Sequence, residues 1–144
     1  MLRLPVIVLG LSAGLSGADP VATIVNSGST NRAGFRIAID AQGNAEWIAA
    51  PRRSGAPQPQ AKPQQQTIPP ALLKNFRADL DAAKPLASLP EVHCMKSASF
   101  GSRLTVESGA EQTPDLSCGD GGNGAMRNLI RDVNEITALF AAGR

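Results

Sequence analysis

The chain contains no tyrosine, one tryptophan and four phenylalanines among its 144 residues. Stacking platforms for bases or sugars, and aromatic-rich protein-binding surfaces, have little to be built from. A single histidine, His93, excludes zinc centres that need two or more imidazoles. Neither sign of charge is in useful excess: 14 basic against 12 acidic residues give a formal net charge of +2. That is too little for the basic face of a nucleic-acid binder, so no nucleic-acid partner is expected. Beyond the N-terminal segment no apolar run is long enough to span a ~30 Å hydrocarbon layer.

What the N-terminus does hold is MLRLPVIVLGLSAGLSGA, with Arg3 ahead of an apolar run and Ser16 and Ala18 at small-residue cleavage spacing. This is the pattern of a secretory signal peptide over 1–18. The expectation is a secreted or periplasmic protein whose residues 19–144 form one domain, with no membrane span after cleavage. Cys94 and Cys118 are the only cysteines. In an oxidising compartment they read as one disulfide. A reactive Cys94 thiol assisted by His93 is disfavoured, because adjacent side chains of an extended segment point to opposite faces.

Between the cysteines, Ala98, Phe100, Ser102, Leu104 and Val106 share one parity, and Ser97, Ser99, Gly101, Arg103, Thr105 and Glu107 the other. This period-two pattern predicts a strand with one buried face. Ser108 and Gly109 supply a turn, and a return strand follows in which Leu116 and Cys118 share a parity. Pro114 places that strand at a sheet edge or delays its start.

A second hairpin pairs Phe35, Ile37 and Ile39 with Ala45–Ile48 across the turn Asp40-Ala41-Gln42-Gly43-Asn44. VATIVNS at 21–27 reads as a peripheral strand ahead of it. The stretch 51–66, PRRSGAPQPQAKPQQQ, is too rich in proline for a helix or interior strand and reads as an exposed loop.

Two helices complete the pattern. The first opens at Pro69-Pro70, carries Leu72, Leu73, Phe76, Leu80 and Ala83 on its apolar stripe, points Lys74, Arg77, Asp79 and Asp81 outward, and stops at Lys84-Pro85. The last has Met126, Leu129, Ile130, Val133, Ile136, Thr137 and Phe140 on one side and Arg127, Arg131, Asp132 and Glu135 on the other. Asn123 is its predicted N-cap and Gly143 its C-cap. The predicted fold is α+β: an antiparallel sheet of two hairpins with both helices on one face, in the order (β)ββαββα.

Gly119 to Gly124 match the string G-x-G-x-x-G, but the following helix is the last element, so no βαβ unit exists to bind a dinucleotide. The turns beginning at Asp40 and Asp120 lack an acidic twelfth position for calcium, since Pro51 and Arg131 stand there. Neither a metal nor a cofactor is expected.

CMKSASFG and TPDLSC resemble segments of exported bacterial proteins that carry Cys-x-Lys-Ser-x-Ser-Phe-Gly and Pro-Asp-Leu-Ser-Cys motifs. By pattern the resemblance spans roughly residues 34–140, and it implies export without implying an activity. The functional expectation is a non-enzymatic binding module for a protein or another envelope component. Its expected face is Arg36, Arg103, Thr105 and Glu107 on the sheet, with Arg52 and Arg53 on the loop. The alternative is a small hydrolase combining His93 with Ser97 or Ser99 and Asp115.

Overall fold

The computed structural model describes residues 19–52, 54, 55, 57, 59 and 61–141. The segment 1–18, expected to be a signal peptide, and Arg53 and Gly143 lie outside the described residues.

The fold is α+β, and among the described residues its strands form one antiparallel sheet. β2 (Phe35–Ile39) and β3 (Asn44–Ala49) pair with Ile37 opposite Trp47. The turn between them closes because the Asp40 carboxylate accepts the amides of Gln42 (2.8 Å) and Asn44 (2.9 Å), while Gly43 adopts φ 89°. β1 (Ala22–Asn26) lies beside β2, and its other edge takes β5 (Leu104–Ser108). β4 (Gln64–Thr67) and β6 (Glu111–Gln112) are the outer strands, giving the order β4-β3-β2-β1-β5-β6.

Helices α1 (Pro70–Ala82) and α2 (Gly124–Ala141) cover one face. Ile24, Ile37, Trp47 and Val106 form a row across four strands. That row packs into the same core as Phe76 and Leu80 of α1 and Met126, Leu129, Val133, Ile136 and Phe140 of α2. Each such side chain contributes about 1.5–3 kcal/mol on burial, so the two apolar stripes account for the helices' position. Asn123 caps α2 as expected, its Oδ1 accepting the Met126 amide at 2.9 Å.

Several local expectations are corrected. β1 is central, not peripheral, because the chain returns after α1 to lay β5 on its free edge. The Pro/Gln stretch contributes β4: an edge strand needs backbone pairing on one side only, and glutamine side chains can stay in water. The alternation from Ser97 becomes a strand only at Leu104. Before it, Gly101 donates to the Ser97 carbonyl (2.6 Å) and Ser99 to the Ser97 hydroxyl (3.2 Å), so local bonds replace the ladder. Leu116–Cys118 form a 3₁₀ turn, and the return strand is β6, ahead of Pro114. Asp132, expected on the wet side of α2, is 1% exposed, because α1 covers that flank.

Candidate functional site

The two sharp sequence motifs meet at one end of the sheet. The Cys94–Cys118 disulfide joins the segment entering β5 to the turn that precedes α2, with the Cα atoms 5.4 Å apart. Inside that closure Lys96 forms an ion pair with Asp115. The remaining Lys96 donors go to the Ser102 carbonyl (2.7 Å) and the Ser117 hydroxyl (2.5 Å), which uses all three ammonium protons. The second oxygen of Asp115 accepts the Leu104 amide (3.0 Å), the Ser117 amide (3.0 Å) and the Ser117 hydroxyl (2.6 Å). Burial pushes the Asp115 carboxyl up, but Lys96, Ser117 and the two amides outweigh it and hold it at about 2.

A second loop braces the first. Ser29 donates to the Ser99 carbonyl (2.7 Å), Thr30 to Ala98 (3.1 Å) and the Asn31 amide to Ser99 (3.1 Å). Glycine is required where these loops turn tightly: a Cβ on Gly34 would sit 2.3 Å from the Asn26 carbonyl, and one on Gly101 2.5 Å from that of Ser97. Lys96, Ser97, Asp115 and Ser117 are thus spent on shaping this loop end, while Thr113 exchanges hydrogen bonds with Val106 of β5.

What the loops present outward is apolar and basic. Met95 is fully exposed and Phe100 is 59% exposed, with the Arg32 guanidinium 5.7 Å from the Phe100 ring centroid. Beside the disulfide lies an open cleft of about 250 Å³, lined by Val92, His93, Lys96, Arg103 and Asp115 among others.

The residues proposed for catalysis are not assembled. His93 projects into solvent with Nε2 3.9 Å from Glu91, and among the described residues no hydrogen bond joins it to Ser97, Ser99 or Asp115. Asp115 is already engaged by Lys96. Nor do any three His, Cys, Asp or Glu side chains of the described residues converge to hold a metal ion. In the glycine-rich loop before α2, Asp120 accepts the Gly122 amide (2.7 Å) and Arg127 (2.6 Å), and these hold its carboxyl below the ordinary range. A carboxylate at this helix start opposes a phosphate there.

The expected binding face is divided. Arg36 and Glu107 do project from the face opposite the helices, but they pair with each other at 2.7 Å across β1. Thr105 is 8% exposed and accepts the Gln112 side-chain amide at 3.2 Å. The Gln112 side chain of β6 reaches across to it. Arg103 lies with the cleft instead, and Arg52 is half-buried. The parity argument missed Met95, Phe100 and Arg32. A usable signal was present: Phe100 sits in SASFGS, a run of Ser and Gly whose one other apolar side chain is the small Ala98.

Comparison with protein-family models and with curated sequences finds no match for this chain.

Proposed function

We propose that the protein is a non-enzymatic binding module of the cell exterior, and that it engages a protein or envelope component through the loop end bearing Met95, Phe100, Arg32 and Arg103. The observation that carries this reading is the exposure of Met95 and Phe100 on a loop tied by a disulfide, an ion pair and bonds to a second loop. A surface held rigid in advance loses little conformational entropy on binding, and exposed large apolar side chains gain when covered. The signal-like segment 1–18, the paired cysteines and the resemblance to exported bacterial proteins support a secreted or periplasmic site of action. No helix among the described residues is long and apolar enough to cross a membrane.

The test is affinity capture from envelope and extracellular fractions with the exported protein as bait, comparing it with the double variant Met95→Ser, Phe100→Ser at matched thermal stability. Loss of a discrete captured partner supports the reading, and an unchanged capture profile defeats it. Mass spectrometry of the exported protein is expected to find Asp19 at the N-terminus.

A further inference from the structure

Two carboxyls meet between the helices, Asp79 on α1 and Asp132 on α2. Asp132 is buried, and its Oδ1 accepts Nε (3.0 Å) and Nη2 (2.9 Å) of Arg131, whereas its Oδ2 is buried without a donor. Asp79 accepts the same Nη2 at 3.1 Å on Oδ2, and the Asn128 amide at 3.4 Å on Oδ1. Arg131 Nη2 thus stands 2.9 Å from Asp132 Oδ1 and 3.1 Å from Asp79 Oδ2, which brings the two carboxyls together at one nitrogen. One guanidinium therefore serves two acids.

Were both acids ionised, two negative charges would share one guanidinium, with Asp132 buried. A proton on Asp132 removes the unmatched charge and gives the orphaned oxygen a hydrogen to donate beside Asp79. Among the described residues, no second cation acts on Asp132. The charges acting on Asp132 are Asp79 from α1 and Arg131 from its own helix, and Glu135 acts on Arg131. β4, which also touches α2, has only Gln and Thr side chains.

We propose that Asp132 and Asp79 share a proton and form a pH-sensitive clasp between α1 and α2, closed in acid and loosened as the pH rises. Burial, the largest influence, raises the Asp132 carboxyl. Arg131 draws it down, Asp79 pushes it up again, and it stays above its ordinary 3.8. A folded-state value raised in this way contributes stability that is full below 3.8 and is lost as the pH climbs through the folded value.

Carboxyl-carbon NMR titration of the full chain tests the proposal directly. The Asp132 resonance is expected to titrate above the free-carboxyl range. An Asp132 midpoint at or below that range overturns the clasp. Independently, Asp132→Asn supplies a permanent donor to Asp79. Its melting temperature at neutral pH is expected to match or exceed the parent's by several degrees, with the fall above about pH 4 flattened. A variant that melts lower at neutral pH and keeps the parental slope shows an ionised Asp132 paired with Arg131 and refutes the proposal. If Asp132→Asn does not fold, the titration of the unmodified chain still decides.

Discussion

Lys96 and Asp115 pair inside the loop that Cys94 and Cys118 close, so the same two segments are tied twice, once by charge and once covalently. Neither tie reaches the apolar core directly. Together they set the position of the exposed loop and of the chain entering β5 through the Leu104 amide.

Substitution of Lys96 by Met should therefore destabilise by about 1–3 kcal/mol, since it leaves a largely buried carboxylate without its cation. Asp115→Asn should cost a similar amount, for the converse reason. Denaturant unfolding measures both, and a loss below a few tenths of a kcal/mol for either would mean that the pair is not stabilising.

The acid limb of the stability curve follows from Asp115. Its carboxyl is lowered from 3.8 to about 2, so its contribution is complete above 3.8 and is lost as the pH falls toward about 2. Melting temperature should drop over that window in the parent and drop less steeply in Asp115→Asn. Equal acid limbs in the two proteins would contradict the assignment.

Reducing the disulfide, or replacing both cysteines by Ala, should remove roughly 3–4 kcal/mol on the chain-entropy account for a loop of about 25 residues. Alkylation of the protein isolated without reductant should label neither thiol. Labelling of either would show that the bridge is absent.

Deletion of residues 54–61 should cost only a few tenths to ~1 kcal/mol, because loop entropy changes slowly with length. Extending the deletion through Thr67 should be much worse, since β4 pairs with Asn44–Trp47 and flanks the buried Trp47. Differential scanning of the two deletions separates loop from strand. Identical midpoints would mean that β4 adds nothing.

Gly101→Ala should destabilise by about 1–3 kcal/mol, as its Cβ would stand 2.5 Å from the Ser97 carbonyl and 2.7 Å from the Lys96 Cβ. Partner capture should weaken more than in a stability-matched control elsewhere, since the turn carries Phe100. Retention of full capture would detach the turn from binding.

Residue order determined the helices, the α+β class, the Asp40 turn and the identity of the two cysteines. Each of these rests on short-range physics: an apolar stripe of period 3.6, a capping Asn123, a glycine where φ must be positive, and two thiols available for pairing. The tertiary structure decided what depends on distant neighbours. Whether VATIVNS is central turns on Val106 docking beside Ile24, and whether Gln64–Thr67 is a strand turns on a free edge of β3. Asp132 reads as a surface acid until α1 brings Asp79 against it. Phe100 reads as core until Ser97 and Ser99 satisfy their own turn and leave its ring outside. Periodicity reports which face a residue occupies, but burial depends on what else arrives at that face, and that is set by contacts between residues far apart in the chain.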